Sequence, residues 1–380
     1  MWMISFGIAL AAAAAAYSVT AAVAVRVRLK AHIGAHPGKY PAVTILKPLC
    51  GDEHELFVCL RSFFDQDYPR FQIIFGVSDG DDPAAEVVAR LRREFPHVDA
   101  TLVVDRRQHG SSRKVSNLMN MLPLARHEYL VVSDSDVRVS RDYLSGIVPP
   151  LLDPEVGIVT CPYRGTPRRG VWSLLGSMFI NEWFIPSVRV AALSGSRAFA
   201  FGVTIALRRE VLASIGGLAA IANQLADDYR LGELTRARGL QTILSNVVVD
   251  TCVDERSFGD LVRHELRWLR TIRTVRPIGY TLSCITFSVP MALAGYAISR
   301  AAAPALILLL VAAFGRLMLH VRMRTPNENL GRGLLVLPLR DLLSLFLWGW
   351  AFATRRVQWR DARFYITRDG SVQPVVRITQ

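Results

Sequence analysis

Two short segments of the sequence end in acidic residues whose spacing suits metal binding. The apolar run 72–78 is followed by Asp79, and the apolar run 129–133 is followed by Asp134 and Asp136. In an Asp-x-Asp sequence after a buried strand, both carboxylates project to one side and can hold a hard divalent cation. Such a cation can neutralise a diphosphate leaving group. The alternative is that these aspartates only cap helices or form turns.

The elements that must position these acids lie between residues 41 and 276. Short apolar runs alternate there with helical patterns, which predicts an α/β domain with a mostly parallel sheet and helices on both faces. In such sheets, ligands bind at the carboxyl ends of the strands, where the three aspartates are expected. The predicted strands are 42–46, 72–78, 101–104, 129–133 and 156–161, and the predicted helices are 53–65, 83–95, 113–122 and 141–152.

The composition predicts a soluble domain with membrane segments attached. Hydrophobic residues make up 51% of the 380 residues, whereas charged residues still make up 20%. The mean hydropathy is +0.27. This apolar content and the presence of only five cysteines exclude disordered, collagen-like, coiled-coil and disulfide-scaffold proteins. The cysteines show no metal-ligand spacing and are predicted to be buried thiols in a reducing compartment.

Residues 1–25 carry no charge and are long enough to span a bilayer. Because Arg26, Arg28 and Lys30 follow directly, the positive-inside rule places this side in the cytoplasm and the N-terminus outside. A cleaved signal peptide is the alternative, but its usual basic start is missing here.

The C-terminal third contains further apolar segments. Segments 278–299 and 301–323 predict a helical hairpin with basic flanks. Segment 334–353 contains Arg340 and Asp341, which leaves too few uninterrupted apolar residues for a span, so a re-entrant or interfacial helix is expected. The predicted division is an anchor at 1–25, a cytoplasmic catalytic domain at 41–276, a membrane region at 278–353 and a cytoplasmic tail at 354–380, whose start is marked by Arg355 and Arg356.

The chain is basic, with 45 Lys and Arg residues and a net charge of +13. No basic run is interleaved with aromatic residues, which argues against nucleic-acid binding. An excess of arginine combined with basic flanks of membrane segments accounts for the charge.

Four ordered motifs give the sequence a resemblance to a known family. The motifs are Val77-Ser78-Asp79, Asp134-Ser135-Asp136, Ala226-Asp227-Asp228-Tyr229 and Arg267-Trp268. Their order and spacing resemble the D, D, D, (Q/R)xxRW signature of ceramide glucosyltransferase-like enzymes across nearly the whole chain. One departure is His264, which stands where the family usually has Gln or Arg. The resemblance implies a membrane-bound glycosyltransferase of GT-A fold, with one N-terminal and two or three C-terminal membrane helices.

Segments 113–118, 179–187 and 264–273 look like one branch of this family, the hopanoid-biosynthesis glycosyltransferases of bacteria. That resemblance implies UDP-N-acetylglucosamine as donor and a hydroxyl of bacteriohopanetetrol, a polyol lipid, as acceptor. It also implies a multi-pass protein of the bacterial inner membrane and a downstream deacetylase as a partner.

The resemblance also implies roles for the acidic residues. Asp79 is expected to bind the uracil or ribose of the donor. Asp134 and Asp136 are expected to hold Mg²⁺ or Mn²⁺ on the diphosphate. Asp228 is expected to act as the general base of an inverting transfer, and Asp227 is the rival candidate because adjacent like charges raise one carboxyl pKa.

Further candidates come from the helical motifs. Arg267 is expected to pair with phosphate, Trp268 to stack on a sugar or close the acceptor entrance, and Lys114 to add a point charge near the phosphates. Asn117, in the segment that looks like the family's Lys-x-x-Asn, and His264 are further site candidates. A structural role remains the alternative for Lys114, Trp268 and His264.

Residues 172–190 have aromatic and apolar residues near helical spacing. They predict either an interfacial helix beside the acceptor route or a core helix. The competing functions are a UDP-glucose-dependent transferase acting on ceramide or another lipid, a processive polysaccharide synthase, and a non-catalytic membrane scaffold that binds nucleotide sugars.

Overall fold

The computed structural model describes residues 1–29, 40–51, 55–198, 200–325, 329–354, 356–359, 362–367 and 370–374. Lys30 and Arg355, two expected basic flanks, lie outside these residues. The strands are β1 (Val43–Pro48), β2 (Phe71–Val77), β3 (Asp99–Val104), β4 (Tyr129–Val132), β5 (Val137–Arg138), β6 (Val156–Thr160), β7 (Tyr163–Pro167), β8 (Ile205–Arg208), β9 (Gln241–Leu244), β10 (Val249–Val253), β11 (Arg356–Trp359), β12 (Ala362–Ile366) and β13 (Val372–Pro374).

Fourteen α-helices are described in the same residues. They are α1 (Trp2–Ala24), α2 (Leu56–Phe64), α3 (Pro83–Glu94), α4 (Arg113–Met121), α5 (Tyr143–Ile147), α6 (Gly170–Phe179), α7 (Ile185–Leu193), α8 (Arg209–Ser214), α9 (Asp227–Ala237), α10 (Phe258–Val275), α11 (Pro277–Leu282), α12 (Ser288–Ile298), α13 (Ala303–Met323) and α14 (Leu330–Trp350). Short 3-10 segments lie at Leu122–Leu124, Pro149–Leu152, Leu218–Ile221 and Ser283–Thr286, and a π-helical turn joins α6 to α7 at Ile180–Phe184.

The main sheet has seven strands in the order β3-β2-β1-β4-β8-β6-β9. Strands β3, β2, β1 and β4 are parallel neighbours, β8 runs antiparallel to both β4 and β6, and β6 pairs with β9 in parallel. The predicted mostly parallel α/β sheet is therefore confirmed. Two three-stranded sheets, β5-β10-β7 and β11-β12-β13, complete the strands.

Helices cover both faces of the main sheet, as the alternating pattern predicts. On one face, α4 packs Val115 and Leu118 against Leu46 of β1. On the other face, α2 packs Phe63 against Ile45 of the same strand. Since β1 is buried on both faces, its six residues are apolar or carry a paired polar group.

The expected helix 141–152 is shorter in the structure. Helix α5 ends at Ile147 and a 3-10 segment follows at Pro149–Leu152, because two successive prolines cannot donate the backbone hydrogen bonds of an α-helix. Among the cysteines, Cys59 and Cys161 are buried as expected, whereas Cys252 and Cys284 are only half-buried. Cys50 is exposed because it lies on the turn that follows β1.

Among the described residues, α1 and α13 are long and apolar enough to cross a membrane. Helix α1 also lies close to α12, since a Cβ at Gly7 would come within 2.5 Å of the Gly295 carbonyl oxygen. Small residues permit such backbone contact between membrane helices. Ser18 of α1 donates a hydrogen bond of 2.8 Å to the carbonyl oxygen of Ala312 in α13.

The first arm of the predicted hairpin, segment 278–299, is bent in the structure. Helices α11 and α12 are joined by a 3-10 segment and meet at 76°. Within this segment, the Thr286 hydroxyl donates to the Ser283 carbonyl oxygen and accepts a 2.8 Å hydrogen bond from Trp183 Nε1. Such side-chain bonds compete with the regular helix, which explains the break.

Helix α14 is continuous over 21 residues and begins before the expected segment 334–353. Its two charged residues in mid-helix turn inward. Arg340 binds Glu265 of α10 through two hydrogen bonds of 2.6 and 2.8 Å, and Asp341 binds Arg316 of α13. Leu335 and Phe346 are exposed on the outer face.

Candidate active site

The centre of the site is the loop that follows β4. This strand lies between β1 and β8 in the middle of the sheet, so the loop opens at the carboxyl ends of the central strands, where α/β sheets bind ligands. Lys47, at the end of β1 and buried, donates to the Asp134 carbonyl oxygen and to Ser133 Oγ. The aspartate loop is therefore held from below by a buried cation.

Lys114, at the start of α4, joins two of the acidic motifs. Its ammonium lies 2.6 Å from Asp134 Oδ1 and 3.6 Å from Asp227 Oδ2. Burial favours the neutral amine, but Asp134, Asp227 and Asp228 outweigh it and raise the pKa of Lys114. Lys114 is therefore a fixed positive charge among three carboxylates.

Gly202 marks the point where these groups converge. A Cβ there would lie 2.9 Å from Lys114 Nζ, 3.1 Å from Asp134 Oδ2 and 3.5 Å from Asp228 Oδ2. The missing side chain leaves a space surrounded by one ammonium and two carboxylates. The backbone N–H of Gly202 donates a 2.8 Å hydrogen bond to Asp228 Oδ2, which fixes one wall of this space.

Asp228 lies among groups that raise its pKa toward neutrality. Burial and the adjacent Asp227 carboxylate raise the pKa of Asp228 to about 6, although Lys114 acts in the opposite direction. The second carboxylate oxygen accepts a 2.7 Å hydrogen bond from the backbone N–H of Tyr229. A base with a pKa near neutrality combines proton affinity with a useful ionised fraction.

Asp136 lies behind Asp134 and is buried more deeply. Its Oδ2 accepts a 2.7 Å hydrogen bond from Thr251 Oγ1 of β10. Burial, together with the Asp134 carboxylate, raises the pKa of Asp136. This repulsion and the open space at Gly202 fit a divalent cation, which could take Asp134 and Asp136 as two of its ligands. Within the described residues, no group of three or more His, Cys, Asp and Glu side chains is placed to hold a metal by itself, so further ligands must come from substrate or water.

Helix α10 brings Arg267 and Trp268 to the same site. Burial lowers the pKa of Arg267, while Asp134, Asp136 and Asp228 act against this effect, which places the guanidinium in the field of all three carboxylates. Trp268 is half-buried and packs among the rings of Tyr163, Phe179 and Phe184 at centroid distances of about 6 Å.

Two candidates lie away from this centre. Asp79 follows β2, which β1 separates from β4, so it is about 10 Å from the aspartate loop at ordinary strand spacing. Its side chain is 47% exposed and pairs with Arg106 at 2.6 Å, which lowers the pKa of Asp79. Asn117 is buried and donates a 2.7 Å hydrogen bond to the Gly76 carbonyl oxygen, so its amide ties α4 to β2.

His264 lies one helical turn before Arg267 and Trp268. Its Nδ1 is 2.6 Å from Glu255 Oε1, and its ring contacts Trp268 edge to face at 5.1 Å. Glu255 is buried, and no hydrogen-bond partner is described for its Oε2. His264 is therefore oriented by a carboxylate that sequence reasoning did not identify.

Lys47 and Gly202 were also missed by sequence reasoning. The sequence does contain an indication for Lys47, since it is a charged residue near the end of a largely apolar strand. The sequence contains no such indication for Gly202, because its role depends on Lys114, Asp134 and Asp228, which are distant in sequence.

The sequence profile of glycosyl transferase family 21 matches residues 6–372. The chain belongs to this family. This family 21 chain is 24% identical to ceramide glucosyltransferase 3 of Caenorhabditis elegans over 349 residues. The alignment covers 88% of this chain and 74% of that protein. It is also 25% identical over 243 residues to an N-acetylglucosaminyltransferase of Rhizobium meliloti, across 61% of this chain and 55% of the relative.

A solved structure supports the fold of this family 21 glycosyltransferase. The mannosyltransferase of Pyrobaculum calidifontis, in complex with GDP-mannose and Mn²⁺, superposes with a TM-score of 0.55 at 20% identity. The match covers 92% of this chain and 97% of the mannosyltransferase. The GT-A-like fold expected from the sequence motifs is therefore confirmed.

Proposed function

We propose that this family 21 enzyme transfers N-acetylglucosamine from UDP-N-acetylglucosamine to a hydroxyl of bacteriohopanetetrol, with inversion. The observation that carries the chemistry is the convergence of Lys114, Asp134 and Asp228 around Gly202, whereas the choice of donor and acceptor rests on the resemblance of segments 113–118, 179–187 and 264–273 to the hopanoid branch. Fixed positive charge, a metal-ligand carboxylate and a base of raised pKa are the groups that a direct glycosyl transfer from a nucleotide sugar needs.

Asp228 is the general base of this mechanism. Its Oδ2 faces the open space at Gly202, where it takes the proton of the acceptor hydroxyl as the oxygen attacks the anomeric carbon. Asp227 lies closer to Lys114. It therefore suits the role of ion-pair partner of Lys114 better than the role of general base. One base and one in-line attack give inversion without a covalent intermediate.

Lys114 and Arg267 stabilise the departing nucleoside diphosphate. Both cations lie half-buried beside the aspartate loop, where charge interactions are stronger than in water. A Mg²⁺ or Mn²⁺ ion held by Asp134 and Asp136 would supply further neutralisation of the diphosphate. Asp79, which follows β2, is left to contact the uracil or ribose.

The acceptor route follows the aromatic rings. Phe201, next to Gly202, contacts Phe184 at 5.3 Å, and Phe184 contacts Trp268 at 5.9 Å. Phe179 and Trp183 continue the row and stack at 4.8 Å. These rings join the site to helices that pack on α11 and α12. Residues 172–190 thus supply an apolar path from the bilayer to Asp228.

The membrane arrangement is part of the proposal. Residues 1–25 anchor the chain, 41–276 form the catalytic domain on the cytoplasmic side of a bacterial inner membrane, and 278–353 form the C-terminal membrane region. Because α14 pairs its mid-helix charges inward and exposes Leu335 and Phe346 on its outer face, it presents an apolar surface to lipid, which supports its place in this region. The tail 354–380 then remains cytoplasmic, and a deacetylase acts on the product.

A second candidate is favoured by the relatives. Ceramide glucosyltransferases match most of the chain, so UDP-glucose and ceramide form the alternative substrate pair. The same residues would serve either pair, because none of the groups at Gly202 distinguishes the sugar.

A donor-by-acceptor assay on purified protein in detergent tests the proposal. UDP-N-acetylglucosamine and UDP-glucose are each offered with bacteriohopanetetrol and ceramide, with and without EDTA, and products are identified by mass spectrometry. An EDTA-sensitive N-acetylhexosaminyl hopanoid is expected. Hexosyl-ceramide instead would replace the substrates and keep the mechanism. UDP binding without any transfer, while a parallel ceramide glucosyltransferase is active, would favour a scaffold.

A further inference from the structure

Tyr163, the first residue of β7, lies where the aromatic rings meet the acidic site. Only 6% of this residue is exposed. Its ring contacts those of Phe184, Phe201 and Trp268 at centroid distances of 5.2, 6.0 and 6.0 Å. Tyr163 therefore belongs to the rings that form the proposed acceptor route, and it is the one of these four that carries a hydroxyl.

The main sheet brings Tyr163 to the edge where the site opens. Strand β8 runs antiparallel to both β4 and β6, so β4 and β6 point in the same direction and their carboxyl ends lie at one edge. Tyr163 follows β6 after a connection of two residues, and the aspartate loop follows β4 at the same edge. Strand β7 then pairs with β10, which places Tyr163 opposite Val249 and holds its backbone there.

The hydroxyl of Tyr163 lies in the field of the active-site acids. Burial raises the pKa of Tyr163, and the carboxylates of Asp228, Asp134 and Asp136 raise it further, in decreasing order, while Arg267 acts against them. Because such interactions weaken with distance, the phenol is near both the proposed base and the proposed metal ligands. Tyr163 is therefore a neutral hydrogen-bond donor at every pH at which the proposed base works.

The hydroxyl of Tyr163 has no hydrogen-bond partner within the part of the chain that the structure describes. It is also absent from the fully enclosed polar atoms that lack a partner, so it borders accessible space although its ring is packed. Other buried tyrosines are paired, since the Tyr143 hydroxyl lies 3.0 Å from Thr204 Oγ1 and the Tyr280 hydroxyl donates to the Trp348 carbonyl oxygen at 2.8 Å. Because an unpaired hydroxyl in a buried residue costs free energy, a ligand that pairs with Tyr163 recovers this cost.

We propose that the Tyr163 hydroxyl donates a hydrogen bond to the attacking oxygen of the lipid acceptor and thereby turns the acceptor O–H toward Asp228. The proposal rests on lipid glycosyl transfer as the function. A hydroxyl oxygen has one proton and two lone pairs. The proton goes to Asp228, one lone pair forms the bond to the anomeric carbon as the bond to the diphosphate oxygen breaks, and the other accepts from Tyr163. Tyr163 keeps its own proton, and its contribution is the orientation of the acceptor.

Tyr163→Phe tests the proposal, because it removes the hydroxyl and keeps the ring and its contacts. With the pair of nucleotide sugar and lipid that the donor-by-acceptor assay finds active, kcat/KM for the lipid should fall about tenfold. The affinity for the nucleotide sugar, measured by calorimetry without acceptor, should stay unchanged. Tyr129→Phe is the matched control, since it removes a hydroxyl at the opposite, amino end of β4 and should change neither quantity.

A second measurement separates orientation of the acceptor from damage to the fold. If Tyr163 acts through Asp228, adding Tyr163→Phe to Asp228→Asn should lower the remaining rate by less than about threefold, because residues that serve one step are not additive. An equal fold-loss in both backgrounds, an unchanged kcat/KM in Tyr163→Phe, or a loss of donor affinity would overturn the proposal. Transfer to no lipid by the unmodified enzyme would instead overturn the proposed function, and with it the acceptor that Tyr163 is inferred to hold.

Discussion

Charged residues cluster in two regions, and the clusters are compensated differently. At the active site, Lys114 faces three carboxylates, and Asp134 keeps a third of its side chain exposed. Among the C-terminal helices, Arg316 forms ion pairs with both Glu182 and Asp341, and all three side chains are largely buried. The first cluster has an acidic excess that a ligand must complete, whereas the second is largely completed by the protein itself.

We infer from this difference that the active-site charges serve the reaction, whereas the paired charges between the C-terminal helices hold those helices together. Like-charge repulsion at Asp227 and Asp228 raises a pKa and costs folding free energy. Opposite-charge pairing between α10, α13 and α14 fixes how the helices meet, and a buried pair is destabilised strongly when one partner is lost. Mutations should therefore have opposite effects on stability in the two regions.

The largest expected effect is that of Asp228→Asn. The substitution removes the base and should lower kcat by about 10²–10⁴-fold. It also mimics the protonated carboxyl that burial favours, so the unfolding temperature should rise. Initial rates and thermal unfolding in detergent measure both effects. Asp65→Asn, on an exposed pair with Arg61, is the matched control and should change neither.

The pH profile checks the same assignment. Because the base must be ionised and the pKa of Asp228 is raised to about 6, the rate of the unmodified enzyme should fall as the pH drops through 6. The residual activity of Asp228→Asn should lack this limb. If the limb persists in the variant, another group, with Asp227 the first candidate, is the base.

The second prediction concerns the membrane half. Arg340→Met leaves Glu265 as an unpaired buried charge and should destabilise the protein by about 3–5 kcal/mol. Adding Glu265→Leu should restore most of the loss, since the charge is then removed. The temperature at which the protein aggregates in detergent measures this series.

Arg332→Met is the control, because Arg332 lies on the same helix at an exposed position and should cost little. An equal loss in Arg332→Met, or no recovery in the double variant, would contradict the assembly role of the Arg340–Glu265 pair.

The same contrast explains what the sequence could predict. Asp134, Asp228 and Arg267 were identified because each follows a recognisable strand or motif, and the structure brings their charges together. The partnership of Glu182 with Arg316 joins residues 134 positions apart and depends on helix packing. Hydropathy counts Arg340 and Asp341 as interruptions, because it cannot register that their partners neutralise them.

The bend between α11 and α12 shows the same limit. The apolar segment 278–299 predicts one arm of a helical hairpin and gives no sign of a break, whereas Trp183, about 100 residues earlier in the chain, binds Thr286 in a 3-10 segment. Conversely, the mostly parallel sheet was predictable because alternation of strands and helices is a local property of the sequence.

A smaller effect is expected at the boundary between the two regions. Glu255→Ala removes the partner of His264 Nδ1 and should lower kcat/KM by about tenfold, the value of one hydrogen bond to a charged group. Glu255→Gln keeps an acceptor oxygen at the same place and should recover most of the activity. The kcat/KM for the lipid acceptor measures this effect. Equal losses in both variants would show that the charge of Glu255, and not its hold on His264, matters.

The smallest effect is expected at Asp79, which is more exposed than Asp134 and Asp227. Asp79→Asn should raise the KM for the nucleotide sugar by about threefold, since one hydrogen bond near water contributes little, and should leave kcat unchanged. Arg106→Gln removes its surface partner and should shift the same KM by less, because an exposed ion pair is screened by solvent. A loss of kcat in Asp79→Asn would move this residue from the nucleotide to the reacting centre. The contribution of each aspartate to catalysis would then no longer follow its burial, and the contrast between the more exposed end of β2 and the less exposed loop after β4 would fail.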